Sequence, residues 1–302
     1  STQGVSSAAS DVYKRQPSRH RPSVPVSTAA SPRIRSLALV TGATSGIGRA
    51  VTENLAHAGV NLVINARSAR DLEACAERWR ACGIEVHPVA ADLSEARAVE
   101  HLWASTVALA ESRDFRFDIL VNNAGFGAFG PDASIDEDVL VRMLRLNAEA
   151  LMRLTHRAAR RFTETGTPSA PARILNIAST AAFQSTPYFA HYAATKAFVL
   201  SYSEAIAAEL DASARGRVTL TTCAPGPVRT GFGVAAGLRE DSPFDRQAMD
   251  AGGVAKEALR AMRAGERLVV CGGLNRFGAV LTQLAPRRLA TRIAGALLSK
   301  MK

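Results

Sequence analysis

From Leu37 to about residue 275, short apolar runs rich in β-branched residues alternate with longer stretches whose apolar positions recur every three or four residues. The runs LALVT (37–41), NLVIN (61–65), IEVHPV (84–89), FDILVNN (117–123), ARILNIAS (172–179), RVTLTTCAP (217–225) and RLVVCG (267–272) read as strands, with helices between them. Near-continuous apolar runs belong to strands covered on both faces, and strand–helix alternation builds a parallel sheet. The expected fold is therefore α/β: one domain over 37–275, with a doubly wound, seven-stranded parallel sheet and helices on both faces. No proline-rich linker divides the series, and a chain of 302 residues that is 47% hydrophobic can bury such a core. Right-handed crossovers set the C-terminal ends of the strands along one edge, so the loops after the strands are where function is sought.

The two ends differ in kind. Residues 1–36 are Ser/Pro/Arg-rich without apolar periodicity and are expected to be a disordered leader. Within them DVYKRQ (Asp11–Gln16) is what the bases gat-gtg-tat-aag-aga-cag encode, a transposon end used in sequencing libraries. Residues 1–16 are accordingly read as a translated artefact; for 17–36 the competing reading is a transit peptide. Residues 276–302 are read as a basic amphipathic extension.

Charge follows the same division. The net charge of +10 invites a nucleic-acid reading. However, residues 1–36 hold six Lys/Arg and one acid, and 267–302 hold seven and none, leaving 24 basic and 26 acidic residues between. The body is near neutral, so no nucleic-acid partner is expected. The four cysteines have no metal-site or secreted-scaffold spacing, which argues for a reducing, cytoplasmic setting and no metal.

The loops after the strands hold the unusual residues. TGATSGIG (Thr41–Gly48) spaces its glycines as Gly42, Gly46 and Gly48, which is neither G-x-G-x-x-G nor a P-loop. A strand, a glycine turn and a helix start still present backbone N–H groups to a pyrophosphate. Further along lie Arg67, ADL (91–93), NNAG (122–125), Ser179 and PGPVRT (225–230), and HYAATKAF places Tyr192 and Lys196 four apart on one helix face.

Taken in order, these motifs over about 240 residues resemble the short-chain dehydrogenase/reductase family, and the G-x-x-x-G-x-G spacing resembles its compact branch. The resemblance implies a Rossmann fold and an oxidoreductase interconverting a ketone or 3-oxoacyl group and a secondary alcohol. It further implies catalytic roles for Asn147 (in LRLNAEA), Ser179, Tyr192 and Lys196. The cofactor site it implies is Gly42, Thr44, Ser45, Gly46, Ile47, Gly48, Arg67, Asp92, Leu93, Asn123, Ala124, Gly125, Tyr192, Lys196, Pro225, Gly226, Val228 and Thr230.

A phenol is a weak acid at neutral pH, and a neighbouring Lys⁺ is expected to lower the Tyr192 pKa. His191 is read as a bystander. At the end of the second strand, where an NAD enzyme places an acid, stand Ala66 and Arg67, which favours NADP(H), with NAD(H) as the alternative. The loop 231–253 mixes apolar and charged residues, as a lid does. A homo-dimer or homo-tetramer acting on a small carbonyl or alcohol is expected. The basic C-terminal segment offers a contact for a membrane surface or an acyl carrier. The other readings are an idle NADPH-binding regulator and a membrane-surface adaptor on the same fold.

Overall fold

The structure, a computed structural model, describes residues 35–239 and 248–299, so residues 1–34 of the expected leader, part of the 231–253 loop and the last three residues lie outside the described residues, while Ser36, expected in the leader, opens the first strand. Its elements run β1 (Ser36–Thr41), α1 (Gly46–His57), β2 (Asn61–Ala66), α2 (Ala69–Arg80), β3 (Val86–Ala90), α3 (Ala96–Ser112) and β4 (Arg116–Asn122). Next come α4 (Glu137–Leu144), α5 (Leu151–Thr165), β5 (Ala172–Ile177), α6 (Ala190–Ser213) and β6 (Val218–Ala224). The described chain closes with β7 (Val228–Arg229), α7 (Phe232–Ala235), β8 (Met249–Asp250), α8 (Ala251–Ala264), β9 (Leu268–Val270), α9 (Gly273–Leu284) and α10 (Arg287–Leu298).

Seven strands form one parallel sheet in the order β3-β2-β1-β4-β5-β6-β9, the doubly wound arrangement expected. Side chains alternate across it. In β1, Ala38 and Val40 join a core built with α1, α2 and α8, while Leu37 and Leu39 join one built with α3, α5 and α6. Both sets are fully buried, which is why this strand is an unbroken apolar run.

Among the strand boundaries that differ from expectation, two do so for evident local reasons. The third strand starts at Val86 rather than Ile84 and tolerates Pro88 because it is the sheet edge. The fifth stops at Ile177, since Ser179 instead caps a 3₁₀ turn (Thr180–Phe183) with its hydroxyl accepting from the Ala181 N–H at 3.1 Å. A second small sheet, β7 with β8, was not expected; it pins both ends of the loop after Pro225–Gly226.

Candidate active site

The sheet order reverses between β1 and β4, and the two loops leaving these strands are tied together there. Thr41 Oγ1 accepts from the N–H groups of Asn123 and Ala124, each at 3.0 Å, while Asn123 Nδ2 donates to the carbonyls of Thr41 and Gly42, both at 3.0 Å. Gly42 and Gly46 have φ of +66° and +52°, the left-handed region. Gly48 is required by space instead: a Cβ there would lie 2.1 Å from the Gly42 carbonyl oxygen and 2.3 Å from Asn123 Nδ2. Ser45, with Thr44 before it and Ile47 after, stands at the N-cap of α1 and makes no side-chain capping bond, so the first-turn N–H groups keep their capacity for an anion.

At the end of β2, Arg67 is exposed. Asp92, in the turn after β3, accepts from the Ser94 N–H (3.0 Å) and hydroxyl (2.8 Å). Burial pushes the Asp92 pKa up, but those two bonds together with Arg67 and Arg142 hold it below its usual value. Leu93 is buried beneath. Asn65 fixes this turn by donating to the Val89 and Ala91 carbonyls at 3.0 and 3.2 Å.

Across the crevice, Ser179 stands near Tyr192, and its hydroxyl acts on the phenol to lower its pKa. Burial pushes the Tyr192 pKa up to about 12, outweighing the lowering by Ser179. Lys196 is buried, donates from Nζ to the Ile177 carbonyl at 2.8 Å, and lies 5.8 Å from the centroid of the Tyr192 ring. Loss of solvent lowers its own pKa to about 8. The expected lowering of the tyrosine pKa by Lys196 is therefore corrected: burial is the larger influence on the phenol, the lowering comes from Ser179, and burial also acts on Lys196 itself.

Asn147 is fully buried in a π-helical turn (Arg145–Ala150) joining α4 to α5. Its Oδ1 accepts from the Phe126 N–H at 3.0 Å, and its Nδ2 donates to the Phe126 carbonyl (2.8 Å) and to Thr195 Oγ1 (3.1 Å). Thr195 in turn donates to the Tyr192 carbonyl at 2.8 Å. Gly125 fits between: a Cβ there would meet Asn147 Oδ1 at 3.0 Å and Lys196 Nζ at 3.6 Å. His191 is turned aside, its Nδ1 3.0 Å from Asp132 Oδ1.

After β6, the Pro225 carbonyl accepts from the Thr180 N–H at 2.9 Å, which holds this loop against the serine turn. Gly226 leaves room for Asn275 of α9, whose side chain a Cβ there would displace. Val228 pairs with Met249, and Thr230 closes on the glycine turn, its Cγ2 2.8 Å from where a Gly46 Cβ would be. The segment then turns into α7, whose Phe232 ring lies 5.2 Å from Tyr192. Phe189 lies 5.5 Å from Tyr192 and 5.3 Å from Phe129. Thus three loops lay an aromatic cover beside the phenol.

The sequence model of the short chain dehydrogenase family matches residues 36–241. The chain belongs to that family. Among solved structures it is similar to a short-chain dehydrogenase from Sphingobium yanoikuyae in complex with NADPH, at 31% identity and a TM-score of 0.70, covering 81% of this chain and 92% of the other. The 3-ketoacyl-(acyl-carrier-protein) reductase from Brucella melitensis complexed with NADH gives 25% identity and a TM-score of 0.68, over 79% and 97% of the two chains. The human dehydrogenase/reductase SDR family member 4 is 28% identical over 240 residues, 79% of each chain. As a short-chain dehydrogenase the chain is an oxidoreductase of a family that uses nicotinamide cofactors and acts on small molecules.

In this short-chain dehydrogenase all the expected site residues line the loops at the sheet's C-terminal edge or the helices that begin there. Sequence reasoning missed Asn65, Thr195, Asn275 and the aromatic cover. Only the last left a signal, in the aromatic density of FGAFG (126–130) and PYFAHY (187–192).

Proposed function

We propose that this chain is an NADP(H)-dependent enzyme interconverting a ketone, or a 3-oxoacyl group, and the corresponding secondary alcohol. The observation that carries the reading is the grouping of Ser179 and Tyr192 with buried Lys196, whose Nζ lies 5.8 Å from the Tyr192 ring, and buried Asn147. The residues fit a dinucleotide: the glycine turn closes tightly on its neighbours, and the first-turn N–H groups of α1 suit a pyrophosphate. Exposed Arg67, with Ala66 before it in place of an acid, suits a 2′-phosphate. Bound cofactor supplies the hydride that reduces the carbonyl carbon. Ser179 then holds the substrate oxygen beside the phenol, and Tyr192 gives that oxygen its proton. The raised pKa keeps the phenol protonated at neutral pH, the form that gives a proton to the substrate oxygen. Lys196, fixed by the Ile177 carbonyl, and Asn147, fixed by Phe126 and Thr195, complete the relay that restores the proton. The expected assembly is a homo-dimer or homo-tetramer.

The test is oxidation of NADPH and of NADH with a panel of ketones and 3-oxoacyl thioesters. Turnover is expected, with kcat/KM for NADPH roughly ten- to a hundredfold above that for NADH, the value of one charge-assisted phosphate contact. Tight NADPH binding with no turnover on any carbonyl would make the chain an idle cofactor binder instead.

A further inference from the structure

Helices α9 and α10 present the wrong residues to their own domain for a pair that serves only packing. On α9 the buried position is Ala279, whereas Leu274, Phe277, Leu281 and Leu284 are 55–78% exposed. At 100° per residue these four centre on the direction opposite Ala279, so the large apolar row points straight away from the body. On α10, Ala290, Ala294 and Leu298 are buried and Leu289, Ile293 and Leu297 are 49–60% exposed. The next row around α10, beyond the exposed apolar one, is Arg288 and Arg292, both exposed. Apart from Leu298, small side chains thus face inward and large ones outward, the reverse of a helix stabilised by docking on its own core.

Charge decides which occupant this face suits. From Gly273 to Ser299 there is no acid, and the arginines are Arg276, Arg287, Arg288 and Arg292. Arg276 pairs with Glu257 of α8 at 3.5 Å. A second copy docking on the same face by two-fold symmetry would set the arginine row against its own copy with no acid on these helices to offset it. An anionic lipid surface meets both rows at once: the Leu/Phe/Ile row enters the boundary of the acyl chains, and the arginines reach the headgroups. Among the described residues no helix is long and apolar enough to cross a membrane, so α9 and α10 would lie on it. We infer that the α9–α10 face docks on an anionic lipid surface.

The test is co-sedimentation of the full chain with vesicles of phosphatidylcholine, with and without phosphatidylglycerol, together with sedimentation velocity without lipid. Binding is expected to the anionic vesicles and to fall as salt is raised. Two surface variants keep the result interpretable, since neither touches the core or the active site. Phe277→Glu with Ile293→Glu should abolish binding. Arg288→Gln with Arg292→Gln should weaken it about twenty- to thirtyfold while leaving ketone reduction unchanged. Failure of the wild type to bind anionic vesicles, or equal binding to neutral ones, overturns the inference. So does a drop in oligomer size caused by the Phe277/Ile293 pair, which would make a second copy the occupant. The reductase assay stands apart from all three outcomes.

Discussion

Lys196 carries its amine into a nearly dry site, where it donates to the Ile177 carbonyl, and burial moves its pKa from 10.5 down to about 8. Between those values the unfolded chain binds the proton and the folded one does not, so stability rises with pH through that window and the penalty is full below it. Lys196→Met should therefore be more stable than wild type at neutral pH by about 1–3 kcal/mol, the desolvation gain less the lost bond to Ile177. In urea titrations that advantage should shrink as pH rises past the window; a pH-independent difference would mean the amine is not desolvated as described. Arg67 makes a separate claim. Arg67→Asp should lower NADPH affinity roughly ten- to a hundredfold and favour NADH, and unchanged NADPH binding would place the 2′-phosphate elsewhere. At this scale Ser179, Tyr192 and Lys196 could be named as candidates from their motifs, and Asn147 from its context in LRLNAEA. Asn65 and Thr195 could not, since one polar residue in a strand or helix says nothing about which carbonyl or amide lies opposite it.

At the scale of elements, the glycine turn and the aromatic cover do opposite work: one is rigid, the other stands at a loop. A Cβ at Gly48 would meet backbone, which no rotamer change relieves. Gly48→Ala should cost about 3 kcal/mol and weaken cofactor binding, read as a fall in Tm and a rise in Kd; an unchanged Tm would show that the β1 and β4 loops are not locked together. Phe232→Ala removes one ring from the cover over Tyr192. It should raise KM for bulky aryl ketones roughly three- to tenfold and leave small ketones nearly unaffected, and equal effects on both would show that α7 shapes the catalytic group and not the substrate site. The seven strands were legible because burial on both faces makes them continuous apolar runs. The pair β7–β8 was not, because two residues have no period, and the π turn at Asn147 keeps the same apolar spacing as the α-helix around it.

For the whole molecule, charge and chemistry occupy different places. The near-neutral body holds the crevice at the strand ends, and the arginine-rich helices α9 and α10 follow the last strand. The order of motifs along the chain made the family legible, whereas the outward turn of Leu274, Phe277 and Ile293 needed the structure: amphipathic spacing does not say whether the apolar face meets the body or leaves it. The central claim is that this assembly exists to deliver a proton from Tyr192 to a carbonyl reduced at the expense of NADPH. It is tested most directly by comparing wild type and Tyr192→Phe in NADPH oxidation with the best ketone of the panel, with NADPH affinity measured on both by fluorescence. The account predicts a fall in kcat of roughly a hundred- to ten-thousandfold with NADPH affinity nearly unchanged. A Tyr192→Phe enzyme that keeps more than about a tenth of wild-type kcat would contradict it.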